Sequence, residues 1–259
     1  GYEPVIVSSG AIAIGVRKLG LKERPQNIPL KQAAAAVGQT GLMENYDRFF
    51  KEKNLKVGQV LLTNLILRNR SLFLNARNTL FTLLKLGVIP IVNENDSVVV
   101  DEIKLGDNDN LAAITTDLIE ANLLIILTDQ DGLFEADPKK KHNPSLISLV
   151  EKMDKGIEKL ACTTKSPQGV GGMTTKIIAA KNTTKAGIPV IIANGRVHGI
   201  LESIFQGEKV GTLFLPQKAR LTGRKYWIAY TLKPKGRLTV DDGAQEALLK
   251  KGKSLLAIG

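Results

Sequence analysis

Histidine, cysteine and aromatic side chains are scarce in this chain, and each scarcity removes a class of chemistry. The two histidines, His142 and His198, sit in separate polar segments, so no Ser-His-Asp triad is suggested. The single cysteine, Cys162, allows no internal disulfide and no cysteine-rich zinc site, and it fits a reducing compartment. Aromatic residues are 5% of the chain, few for a protein that would stack on single-stranded nucleic acid. No apolar run approaches the ~20 residues of a membrane helix. The opening GYEPVIVSSG reads as a strand and a turn, not as a secretory leader.

What is present suits a soluble globular fold. A length of 259 residues accommodates one large domain, or one domain with a small appendage. Hydrophobic residues make up 43%, enough for a real core. The net charge of +11 fits nucleic acid, a phosphorylated substrate or acidic metabolites as partners, and equally fits plain solubility.

Apolar runs and amphipathic stretches alternate. Residues 3–9, 57–63, 88–96, 123–129 and 188–195 read as strands, and 98–104 as half of a hairpin. Residues 30–52, 70–87, 109–121 and 174–186 read as helices, the second with a glycine cap. Continuous apolar strands with helices between them predict an α/β fold with a mainly parallel sheet covered on both faces. A boundary is expected near 215–225, where LPQKARLTGRK is basic, carries Pro and Gly and lacks apolar period. That gives a main domain over 1–215 and a β-rich segment over 225–259 that is too short to bury a core alone.

In open parallel sheets, ligands bind outside the carboxyl ends of the strands. Here those ends carry Ser8-Ser9-Gly10, Asn93-Glu94-Asn95-Asp96, Thr128-Asp129 and Asn194-Gly195, and Gly106-Asp107-Asn108-Asp109-Asn110 opens a helix. Each cluster has a local reading too. Ser8, Ser9 and the 106–110 run would serve as helix N-caps, and the Asn93 and Thr128 clusters as turns. A single cap needs one residue, so the surplus points to a shared crevice. A second signal is Gly169-Val170-Gly171-Gly172-Met173-Thr174-Thr175-Lys176. Its glycines permit an anion nest, a helix follows at once, and Lys176 lies near the helix start, within reach of a phosphoryl group. A solvated linker is the plain alternative. The spacing is neither a Walker A loop nor a dinucleotide fingerprint.

Together SSGAIAIG, IPIVNENDSV, IKLGDNDNLAA, LLTDQDGLFEADP and GVGGMTTKIIAAK resemble the glutamate 5-kinases of the amino acid kinase family. Order and spacing match over about residues 4–215, and the tail from about 225 is similar to the beginning of a PUA domain. The resemblance implies an αβα sandwich, a cytoplasmic location and self-association. It implies a reaction in which L-glutamate and Mg·ATP give γ-glutamyl phosphate and ADP, the first step of proline biosynthesis, with feedback inhibition by proline. Carried over residue by residue, Ser9, Asp96 and Asn108 match glutamate-binding positions. Thr128, Asp129 and Gly169 through Lys176 match ATP-binding positions. Lys176 matches the lysine that neutralises the transferred phosphoryl group, and Asp109 the aspartate that organises catalytic lysines. No protein metal ligands are assigned, so Mg²⁺ would arrive with the nucleotide.

The chemistry agrees with that assignment. A γ-carboxylate is already ionised at pH 7 and needs no general base, so the missing catalytic histidine is expected. The difficulty is an anion approaching a polyanion, which cations and loop amides relieve. Asp96 would pair with the substrate ammonium, and Ser9 and Asn108 would donate to its carboxylates. Family members begin with a further strand that carries a lysine and a phosphate-binding loop, which these 259 residues do not contain. Little turnover is therefore expected of residues 1–259 alone. Two other readings stay open: a related kinase acting on another acidic acceptor such as N-acetylglutamate or aspartate, and an RNA-binding module.

Overall fold

The computed structural model describes residues 1–63, 69–98, 108–136, 144–163, 172–217 and 239–250. The first elements are β1 (Ile6–Val7), α1 (Ala11–Lys18), α2 (Ile28–Lys51), β2 (Lys56–Leu62), α3 (Arg70–Lys85) and β3 (Val88–Glu94). Then come α4 (Asn108–Leu118), β4 (Leu124–Thr128), β5 (Leu149–Val150), α5 (Lys155–Thr163) and α6 (Met173–Lys185). The last are β6 (Val190–Asn194), α7 (Ile200–Phe205), β7 (Thr212–Phe214) and α8 (Asp242–Leu249). The α/β expectation holds. The hairpin expected over 98–104 lies outside the described residues save for Val98, and so does most of the 225–259 tail.

Local chemistry explains the element ends. Asn27 caps α2 by accepting from Leu30 N at 2.9 Å, and Asn69 caps α3 by accepting from Ser71 N and Leu72 N. Both satisfy amide groups that a helix start leaves unpaired. Gly87, at φ +68°, ends α3 in the left-handed region, as expected of that glycine. The helix that follows β1 has no side-chain cap. Its N-cap is Gly10 in the left-handed region, so Ser8 and Ser9 are not its caps.

The strands form two sheets, not the single one expected. In the first, β1 and β2 both pair in parallel with β3. In the second the order is β4-β6-β7-β5, parallel except that β7 runs antiparallel to β6. Among the described residues no ladder joins the two. Their edge strands β1 and β4 both line one groove.

Each sheet has its own apolar core. Val60, Leu62, Phe73, Leu80, Val92 and Leu118 make the first, and Ile126, Ile177, Val190, Ile192 and Phe214 are in the second. Helix α4 belongs to both. Leu111, Ile114 and Leu118 pack into the first core, while Ala112 and Ala113 pack into the second. The three-to-four-residue spacing of the larger side chains puts them on one face and leaves small alanines for the other.

Helices α1 and α2 approach through small residues. A Cβ on Gly15 would overlap the carbonyl oxygen of Ala34, and one on Gly38 would overlap that of Ala11. These two glycines are required by close backbone approach and not by φ.

Candidate active site

The groove between the sheets widens into a cavity of about 1810 Å³. That exceeds the several hundred Å³ of a typical small-ligand pocket, because it runs along the whole gap between β1 and β4. Its polar wall gathers Ser9, Asn93, Glu94, Asp96, Asn108, Asp109, Thr175 and Lys176. These residues come from the ends of β1 and β3, the loop after β3, the first turn of α4 and the first turn of α6.

Lys176 and Asp109 are the best-defined pair in this wall. Lys176 Nζ donates to Asp109 Oδ2 at 2.9 Å and to Oδ1 at 3.2 Å. Their side chains keep only 12% and 13% exposure, so water screens the pair weakly. Thr175 Oγ1 lies 2.8 Å from both Asp109 Oδ2 and the Gly172 carbonyl oxygen, and its proton is shared between them. The carboxylate thus ties the start of α4 to the start of α6 and aims a cation into the cavity. Both helix N-termini add partial positive charge there.

Two more acidic groups, Glu94 and Asp96, stand in the same wall. Burial raises the Asp96 carboxyl above the usual carboxylate range, and the neighbouring Arg24, which lines the same cavity, offsets part of this. Burial also raises Glu94, and the Asp96 charge adds to it. A carboxylate held at such cost favours a cationic ligand.

Side-chain amides connect this wall to the protein interior. Asn108 Nδ2 donates to Asn93 Oδ1 at 3.1 Å, and Asn93 Nδ2 donates to Gln39 Oε1 at 2.9 Å. Gln39 Nε2 then donates to Gln59 Oε1 at 3.0 Å. Asn93 is 2% exposed. Ser8 accepts from the Tyr46 hydroxyl at 2.8 Å, next to Ser9. Asn95 serves the turn instead, with its Oδ1 accepting from Ser97 Oγ and its carbonyl from Val98 N. The VNEND run therefore divides between turn and cavity.

The sequence-predicted residues are not all brought together. Ser9, Asp96, Asn108, Asp109, Thr175 and Lys176 line the cavity. Thr128 and Asp129 lie at the end of β4 and are not part of that lining. Thr128 Oγ1 is 3.3 Å from Asp129 Oδ1, and Arg196 Nη2 is 3.9 Å from Asp129 Oδ2. Asn194 beside them donates to Asp131 and accepts from Arg196 N. Met173 is buried in the second core, Gly172 occupies the N-cap of α6, and Thr174 is half-buried. Gly169, Val170 and Gly171 lie outside the described residues. Sequence reasoning missed Gln39, Gln59 and Tyr46. An amide inside an alanine-rich helix carries no signal of its own, because partners 20 and 54 residues away show only in the fold.

Comparison with known proteins gives this geometry its context. The amino acid kinase family model matches residues 1–194. The glutamate 5-kinase of Pelobacter propionicus is 54% identical over all 259 residues, which cover 69% of its length. That of Geobacter metallireducens is 53% identical with the same coverage, and that of Thermoanaerobacter pseudethanolicus is 50% identical over 70% of its length. Among solved structures, E. coli aspartokinase III in complex with aspartate and ADP superposes with a TM-score of 0.52 at 15% identity. The match covers 80% of this chain and 45% of that one, a likeness of fold. With a family model over most of its length and relatives 50–54% identical over all of it, the chain belongs to the amino acid kinase family, among the glutamate 5-kinases.

Proposed function

We infer that this protein transfers the terminal phosphoryl group of ATP to the γ-carboxylate of L-glutamate, giving γ-glutamyl phosphate and ADP, the first step of proline biosynthesis. The observation that carries this reading is the shared cavity, which the Asp96 carboxyl and the Lys176 ammonium both line. An amino acid with an ammonium at one end and a reacting carboxylate at the other fits that polarity. The 54% identity to a glutamate 5-kinase supports the same acceptor over N-acetylglutamate, whose acylated nitrogen carries no charge for Asp96 to pair with.

The roles follow from charge. Asp96 takes the substrate ammonium, and Ser9 and Asn108 bind beside it. The attacking carboxylate is ionised at neutral pH, so no proton has to be removed. What limits the step is repulsion between carboxylate and phosphates. Lys176 opposes it, held at its post by Asp109, and the amino ends of α4 and α6 add to the effect. Positive charge fixed in place before the reaction costs no reorganisation during it.

Magnesium typically takes most of its ligands from phosphates and water, so the reading asks for no dedicated protein cage and assigns the ion to the nucleotide. Thr128, Asp129 and the 169–176 loop are assigned to the nucleotide's side. Proline shares the α-amino acid end of glutamate, and we assign its inhibition to the same Asp96 region. Self-association, a cytoplasmic location and a division into a kinase unit over 1–215 and a partial PUA-like unit over 225–259 complete the proposal.

The test is an acceptor panel run on the protein at its full natural length with Mg·ATP, trapping acyl phosphate as the hydroxamate. Glutamate-dependent hydroxamate and ADP in equal amounts are expected. Preference for N-acetylglutamate or aspartate would overturn the acceptor assignment.

A further inference from the structure

The amide chain that ends at Asn108 has a direction, and one group fixes it. The Glu94 backbone N–H donates to Asn93 Oδ1 at 2.9 Å. A backbone N–H can only donate, so the Asn93 atom facing it must be the oxygen. The Asn93 nitrogen then faces Gln39, whose facing atom must be its oxygen, at 2.9 Å. The Gln39 nitrogen in turn faces the Gln59 oxygen at 3.0 Å. On the other side, the same Asn93 oxygen can only receive a donor from Asn108, which is its Nδ2 at 3.1 Å. One N–H of Asn108 is thereby committed inward, which fixes the orientation of the amide and leaves its carbonyl oxygen and its second N–H for the cavity it lines.

We propose that Gln39 and Gln59 are positioning residues for acceptor recognition: through Asn93 they hold the Asn108 amide in one orientation, in which its oxygen receives an N–H of the substrate ammonium. This rests on the glutamate kinase reading above and adds an acceptor role to the donor role that the sequence suggested for Asn108. Neither glutamine lines the cavity, so each acts only through the chain. Gln39 is 9% exposed, which makes an unmatched partner costly. Gln59 closes the chain at an exposed position on β2, where water satisfies its remaining groups. The chain draws one residue from each of β2, α2, β3 and α4, so it also fixes these elements relative to the acceptor. Asp96 supplies charge for the ammonium, while the Asn108 oxygen supplies direction.

The test compares two acceptors that differ only at the ammonium, L-glutamate and glutarate, in the protein at its full natural length. The readout is the ratio of their kcat/KM values by hydroxamate trapping, with KM for ATP measured alongside. Gln39→Met keeps the volume but removes both hydrogen bonds. It is expected to lower the ratio about threefold to tenfold, the worth of one ordinary hydrogen bond, and to leave KM for ATP unchanged. Gln39→Glu still accepts from Asn93, and Gln59 can turn its amide to donate, so this variant should keep the ratio within about twofold of the parent. A general packing role would lower both acceptors together and disturb ATP. If Gln39→Met fails to fold, Gln59→Met at the exposed end carries the same expectation in weaker form. An unchanged ratio in the variant that folds, or equal losses in the Met and Glu variants, overturns the proposal while leaving the kinase reading intact. Absence of hydroxamate with either acceptor in the parent protein overturns the kinase reading, and this proposal with it.

Discussion

The two sheets end in polar residues of similar type but treat them differently. At the end of β3, Asn93 is buried and bonded on both sides, and its partners reach back through two helices. At the end of β4, Asp129 and Arg196 keep side-chain exposures of 52% and 76% and meet at 3.9 Å. The first arrangement is costly to disturb, because each member of a buried polar network depends on the next. The second is worth little, because exposed ion pairs are screened and disordered by their own side chains. The end of β3 is therefore built in advance by side chains, and the end of β4 presents exposed turns that a ligand can adjust.

Substitutions sharpen this contrast, beginning where the largest loss is expected. Lys176→Ala should lower kcat by about 10²–10³-fold, the usual cost of one group that meets charge growing in the transition state. KM for glutamate should move little, and steady-state kinetics with varied glutamate would expose an error if kcat were unchanged. Asp96→Asn should raise KM for glutamate about tenfold to a hundredfold, which corresponds to a charge-assisted hydrogen bond. Calorimetry should find nucleotide affinity intact. A fall in ATP affinity with glutamate unaffected would move Asp96 to the other ligand.

The raised Asp96 carboxyl adds a pH dependence with a definite sign. Glutamate binding requires Asp96 ionised. As pH falls, its carboxyl takes up a proton before an ordinary carboxylate would, so glutamate affinity should drop while the substrate's own carboxylates are still charged. Binding within that range should release protons, which titrations in buffers of different ionisation enthalpy would detect. For the empty protein the sign reverses. An acid whose pKa is raised by folding destabilises the fold once ionised, so Asp96→Asn should slightly raise the unfolding midpoint at neutral pH even as it weakens glutamate. A lowered midpoint would argue that Asp96 supports the structure instead.

Gly15→Ala should cost about 1–3 kcal/mol, as overpacking does when the obstructing atom is backbone. Chemical denaturation should show it as a lower midpoint at unchanged slope. Smallest of all, Arg196→Ala should change stability by no more than about 0.5 kcal/mol. A larger effect would mean that the β4 side is more preorganised than its exposure indicates.

Much of this molecule was legible in the residue string. The runs at 57–63, 88–96, 123–129 and 188–195 became β2, β3, β4 and β6, because short stretches rich in apolar and β-branched residues between turn signals have little alternative. The polar residues after β1 and β3 and at the start of α4 did converge. What escaped were elements too short for a period to register, β5 and β7 at two and three residues, and α7, a single turn and a half. Helix α5, with KGIEKLACT, was hidden by its polarity and brevity. Ser9 was legible as a residue of the crevice but not as a non-cap, since the left-handed Gly10 that displaces it is a matter of backbone geometry. Gln39 was invisible for a different reason: hydrogen-bond direction is a property of a network, and a network has no local sequence signature.

Gly38 and Gln39 are neighbours on α2, about 100° apart around its axis. One has to lack a side chain so that α1 can lie against the helix, and the next has to carry an amide so that β3 is met. Sliding α2 by a single residue would break both contacts: one direction thrusts the Gln39 amide into the helix crossing, and the other leaves Asn93 facing Gly38. The rotational setting of this helix is thus locked by two unrelated demands at consecutive positions. Anyone randomising the alanine- and glycine-rich face of α2 to build a sturdier protein would be altering acceptor choice as well, and a library there should be screened for both traits at once.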